Sequence, residues 1–197
     1  MSVLRRTERL QRRSPRTSAF RSLDLVQVLR PELAPWLRQE GFKRLGSQAW
    51  IQSVGDVHRI VEVQCGMAGW DPRAGTGFVI EFEESHKAAR YSGFHRERVW
   101  TMLDDAARAE AIAINGRVQQ TLPPPDSVLL RSLPASLRPY YLSKFSAPTS
   151  TVRDSDVWFR YYDETDADQW AVFLGRYVGA AWARFLGEPN GRGSANP

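Results

Sequence analysis

Between Trp170 and Phe185 the large apolar residues stand where only one side of an α-helix can gather them. Trp170, Phe173, Leu174, Tyr177, Val178, Ala181, Trp182 and Phe185 fall at i, i+3, i+4, i+7, i+8, i+11, i+12 and i+15. A stripe this broad and this aromatic cannot face water. Burying its eight side chains is worth about 12–24 kcal/mol before ordering entropy is subtracted, so the helix must lie on a sheet or in an interface. Thr165 or Asp166 is the expected cap, Asp166 and Asp168 suit the positive end of the dipole, and Gly187 and Pro189 close the helix.

The surface to receive it is written upstream with period two. In Val57 to Cys65, Val57, Arg59, Val61, Val63 and Cys65 share one face, and His58, Ile60, Glu62 and Gln64 share the other. In Gly77 to Glu83, Phe78, Ile80 and Phe82 alternate with Val79, Glu81 and Glu83. Phe42 to Leu45 and Gln48 to Val54 are further strand material, split by Gly46-Ser47, with Gly55-Asp56 as a hairpin connection. Asp156 to Tyr162 is the last strand. Short links and one-sided alternation predict an antiparallel sheet with one wet face.

Other helices follow from spacing and breakers. Phe20, Leu23, Val26 and Leu29 begin one; Pro31 and Pro35 predict a break, then a second short helix holding Leu33, Trp36 and Leu37, stopped at Gly41. Residues 96–120 read as one long helix that Asn115-Gly116 ends or kinks. Pro123-Pro124-Pro125 is a rigid break, and a short helix is expected around Ala135 to Lys144. The fold class is therefore α+β: an antiparallel sheet of about four or five strands packed by N-terminal, central and C-terminal helices. At 197 residues, with seven Trp and nine Phe, the chain suits one well-filled core rather than two.

Charge divides the chain sharply. Residues 1–18 hold Arg5, Arg6, Arg9, Arg12, Arg13 and Arg16 against the single acid Glu8, a surplus that accounts for the whole formal net charge of +5. With no apolar periodicity and with Pro15, this segment is expected to be a disordered tail. Residues 19–189 form the domain and are nearly neutral; 190–197 are a flexible end. Arginine in the tail can pair phosphates, so nucleic acid is one candidate partner, although the tail has no aromatic residues for stacking on bases. No apolar run reaches the roughly 20 residues of a membrane-spanning helix, and no apolar stretch backs the basic N-terminus as a signal peptide would require. No membrane partner is expected. Cys65 is a lone cysteine, ruling out an internal disulfide, and the expected compartment is the cytoplasm.

From Leu33 to Gln64 the residues Leu33, Trp36, Leu37, Gly41-Phe42-Lys43-Arg44, Gly46, Trp50, Gly55-Asp56-Val57 and Ile60-Val61-Glu62-Val63-Gln64 resemble a bacterial family, domain of unknown function 4304. The resemblance implies a helix ending in a Gly-Phe-Lys turn, paired strands around Gly-Asp and a later strand like Phe78 to Phe82. It covers about a third to a half of the chain, rests on turn glycines and core aromatics, and carries no chemistry, cofactor or catalytic residue.

The candidate sites are few. Gly66 to Gly77 is glycine-rich but lacks both the P-loop ending and dinucleotide spacing, so it reads as a long hairpin loop pinned by Trp70. His86 and His95 flank Lys87, Arg90 and Tyr91 just after Glu83 and Glu84, but their spacing matches no metal-ligand pattern. Cys65 ends a strand on its apolar side, as an inert thiol does. No Gly-x-Ser-x-Gly elbow occurs. Gly175, Gly179 and Ala183 form a small-residue line for close helix packing. The sequence thus points to a non-catalytic protein-interaction module, adaptor or immunity-like, with no cofactor or metal. Trp70, Arg73, His86, Tyr91 and His95 are its candidate contacts. The alternatives are nucleic-acid association through the arginine tail and an enzyme built around His86, His95 and Glu83 or Glu84.

Overall fold

The computed structural model describes residues 18–66, 69–143, 145 and 157–187. The arginines of residues 1–17 and the end at 190–197 lie outside the described residues. In chain order the elements are α1 (Ser22–Gln39), β1 (Lys43–Arg44), β2 (Ala49–Val54), β3 (Val57–Cys65), β4 (Thr76–Ser85), β5 (His95–Arg98), α2 (Val99–Met102), α3 (Asp105–Thr121), α4 (Ser127–Ser132), α5 (Arg138–Ser143), β6 (Phe159–Tyr161) and α6 (Glu164–Gly187). The strands form one six-stranded antiparallel sheet in the order β1-β2-β3-β4-β5, with β6 also paired to β4. The fold is α+β.

The apolar alternation sets which face the helices cover. Val61 lies opposite Phe82, Val63 opposite Ile80 and Cys65 opposite Phe78, and this face is buried beneath α1 and α6. On α6 all the apolar stripe except the partly buried Tyr177 is buried. Trp170 stacks on Phe159 at 4.6 Å and donates its indole N–H to the Arg160 carbonyl at 2.7 Å, so one side chain fastens helix to strand. Gly175 and Gly179 lie against Glu32 and Trp36 of α1, which makes the small-residue line a helix-packing seam within the chain.

Three local expectations are corrected. α1 is a single helix through Pro31 and Pro35, not two helices. Gln27, Pro31 and Pro35 recur every fourth residue on its exposed side, so the carbonyls freed by each proline face water and the core-facing bonds are kept. The buried stripe is Leu25, Val26, Leu29, Leu33 and Leu37, while Leu23 is exposed. The helix expected from 96 to 120 is instead β5, the short α2 and α3: Arg96 and Arg98 are drawn into the sheet opposite Glu83 and Glu81, and Asp104 caps α3 by accepting from the Ala107 amide. Asn115 does not end α3. It is fully buried, and its side-chain amide donates to the Trp158 carbonyl and accepts from the Arg160 amide, acting as a hydrogen-bonding partner for the outer edge of β6. The short helix expected around Ala135 to Lys144 is α5, and α4 precedes it over Ser127–Ser132.

Candidate functional site

The register that places Phe78, Ile80 and Phe82 under the helices puts Val79, Glu81 and Glu83 on the opposite face. That face is not simply wet. Glu62 and Glu81 stand directly opposite one another on β3 and β4, and with Glu83 they are at most 7% exposed. Like charges so placed repel, and each buried carboxylate costs several kcal/mol unless it is paired and hydrogen-bonded. The chain answers with β5 beside Glu81 and with the segment between β4 and β5, which folds back over Glu62 and Glu83.

Each carboxylate has its own partners. Glu62 accepts from the Arg90 guanidinium at 2.8 Å and from the Tyr91 hydroxyl at 2.9 Å. Glu81 pairs with Arg96 and with Arg98, both on β5. Glu83 accepts the backbone amides of Tyr91 at 3.1 Å and Ser92 at 2.9 Å, clasping the turn itself. Ser85 reinforces it, bonding to Ser92 and accepting from the Lys87 amide. Gly93 passes so close to β4 that a Cβ there would fall 2.3 Å from Glu83 Cγ and 2.8 Å from the Glu84 carbonyl oxygen. Only glycine fits the crossing.

Tyr91 is the product of this arrangement. Its φ is +62°, a left-handed backbone that non-glycine residues seldom adopt, and the residue is 56% exposed. Arg96 lies over its ring at 4.7 Å and Arg90 at 5.7 Å, so an exposed aromatic is flanked by two guanidiniums. Its hydroxyl points inward onto Glu62. Burial of that end and the hydrogen bond to the carboxylate hold the phenol above its ordinary value. Phe94, 51% exposed, and His86 stack at 4.7 Å beside the same turn.

Of the other residues singled out from the sequence, His86 adjoins this turn and the rest lie elsewhere. His95 is on the helix-facing side of β5, stacked on Phe185 at 4.5 Å with Nδ1 3.8 Å from Glu84. His86 borders the turn with Nδ1 3.3 Å from the Asp56 carbonyl, and Glu83 faces the outer side of the sheet. The His86, His95 and Glu83 or Glu84 set therefore does not converge, and among the described residues no group of three His, Cys, Asp or Glu could hold a metal ion. Trp70 and Arg73 belong to the opposite end of β4. Trp70 donates to the Tyr162 carbonyl at 2.8 Å, and Arg73 reaches the Pro124 carbonyl and Asp126. Burial pushes the Cys65 thiol up, against the weaker pull of hydrogen bonds with Ser22 and Tyr161. A surface cavity of about 380 Å³ is lined by Thr101, Met102, Leu103, Arg184 and Gly187, and it brings no nucleophile and base together.

Sequence reading missed Glu62, Glu81, Arg90, Arg96 and Arg98 as parts of the site. The available signal was the acidic face of β3 and β4 followed by Arg90 in the next turn and by Arg96 and Arg98 at alternate positions of β5. Its meaning depended on a register that local patterns do not contain. No family model, curated protein or solved structure matches this chain.

Proposed function

We propose that the chain is a non-catalytic protein-interaction module, adaptor or immunity-like, and that Tyr91 is the anchor it presents. One observation carries this reading: a strained backbone and buried charges serve to hold an aromatic ring out in solvent between two arginines. Tyr and Arg dominate binding hot spots, and an anchor fixed before the partner arrives loses less entropy on binding. Strain of this kind gathers at working sites. His86 and Phe94 flank the anchor. The neutral body outside the arginine segment supports a protein partner rather than a nucleic acid one. The likeness to the domain of unknown function 4304 family is compatible with this proposal: Gly41, Gly46 and Gly55 occupy turns at positive φ, and Leu33, Leu37 and Trp50 are core residues, none of them chemical.

The test is affinity purification from the source organism with the full chain, a 19–197 truncation and Tyr91→Gly. Glycine accepts the left-handed backbone and Arg90 still pairs with Glu62, so the loss of the phenol bond is partly offset, and the fold of the variant is checked by circular dichroism. A stoichiometric protein partner retained by the truncation and depleted about tenfold by Tyr91→Gly is expected. Unchanged recovery with Tyr91→Gly refutes the anchor. Nucleic acid co-purifying with the full chain and lost with the truncation supports the second reading, in which Arg5, Arg6, Arg9, Arg12, Arg13 and Arg16 carry the binding.

A further inference from the structure

The helices α4 and α5 are short, held firmly in place and almost wholly exposed. Asp126 caps α4 by accepting the Val128 and Leu129 amides, and Arg73 pairs with the same carboxylate. Arg138 donates to the Leu133 and Arg131 carbonyls at the other end, and Tyr141 accepts the Asp126 amide. None of this fixing buries α4, which has no buried residue. Val128 is 67% exposed, Tyr140 64%, Leu137 49%, Leu129 43% and Leu142 39%. Isolated exposed apolar side chains are ordinary; five of them on one small braced unit mark a contact surface.

Charge says what covers it. The unit carries Arg131 and Arg138, and no acid occurs between Ser127 and Arg153. The preceding acid, Asp126, is already committed to the cap and to Arg73. Like charge disfavours both a second copy of this face and the arginine-rich residues 1–17. An anionic bilayer would share the charge preference, but an interfacial helix needs one continuous amphipathic span. Here Pro134 and Pro139 fall between and within two helices of six residues each. We propose that the α4–α5 face docks an acidic, apolar segment of a partner protein, its leucine or aromatic side chains on Val128, Leu129, Leu137 and Tyr140 and its carboxylates toward Arg131.

This surface goes beyond the Tyr91 reading and does not rest on it. The two lie at opposite ends of β4, a strand about 30 Å long. In the test, a photo-reactive benzoylphenylalanine replaces Val128 or Leu137 in the full-length chain in its source organism, with exposed Val172 on α6 as the control position. Adducts are sequenced by mass spectrometry. Both positions are expected to trap one protein through a peptide in which acids outnumber bases. Arg131→Glu should lower the yield about tenfold, and Tyr91→Gly should leave it unchanged. The linked peptide, synthesised with a fluorophore, should bind the full chain and lose about tenfold in affinity with Leu137→Asp, an exposed position whose folding is checked by circular dichroism. No adduct above the Val172 control, a lipid adduct, a basic linked peptide, self-adducts or indifference to Arg131→Glu would each overturn the proposal.

Discussion

Gly93 and Asn115 show how single residues decide what the sheet can display and where it ends. Replacing Gly93 by alanine drives a methyl into Glu83, the group that clasps the Tyr91 and Ser92 amides. Gly93→Ala is therefore expected to destabilise by about 1–3 kcal/mol and to loosen the turn, seen as faster amide exchange at Tyr91 and Ser92. Unchanged exchange would show that the clasp does not order the turn. Asn115→Ala removes a donor and an acceptor from a fully buried position and strands the Trp158 carbonyl and the Arg160 amide. The expected loss is about 2–4 kcal/mol, read from urea unfolding. Neither role was legible from sequence: Asn115-Gly116 has the composition of a helix end, and only the neighbouring strand edge gives the amide its purpose.

At the scale of the element, α1 holds a testable conflict between propensity and packing. A proline inside a helix removes one hydrogen bond and crowds the preceding turn, yet α1 runs unbroken because both prolines lie on its wet side. Tertiary burial of Leu25, Leu29, Leu33 and Leu37 outweighs the local cost. Pro31→Ala and Pro35→Ala should each raise stability by about 1–2 kcal/mol, less than the full helix-interior penalty because proline also restricts the unfolded chain. A fall in Tm on either substitution would mean that the ring itself packs or that the bend is required. α6 is the opposite case. Its stripe and its glycine seam were both readable, because helical period and burial there agree; its start is shifted only slightly, with Asp163 accepting the Asp166 amide just ahead of Glu164.

Across the whole molecule, carboxylates on α3 tie that helix to α6. Asp104 is held below the usual carboxylate range by the Ala107 amide and then by Arg184. Partial burial pushes Glu110 up, but hydrogen bonds from Arg176 and Tyr177 outweigh it and leave the carboxyl lowered. Groups depressed in the folded state stabilise it fully above their unfolded values, about 3.9–4.3, and lose that contribution as pH falls through the folded ones. Tm should therefore drop below about pH 4, and the deficit of Glu110→Gln relative to the parent should shrink between pH 6 and pH 3. A deficit that stays constant over that range would show that the charge on Glu110 contributes nothing. The same division between local and distant causes runs through the whole protein. Periods of 3.6 and 2 in the sequence by themselves determined the α+β class, the stripe of α6 and the apolar faces of β3 and β4, because each is a property of residues close along the chain. Glu62, Glu81 and Glu83 looked solvated for the same reason. Only the tertiary structure could bury them, since the partners of Glu81 come from β5 and those of Glu62 and Glu83 from the segment folded back ahead of it, and it is that return of the chain that leaves the Tyr91 ring exposed between Arg90 and Arg96.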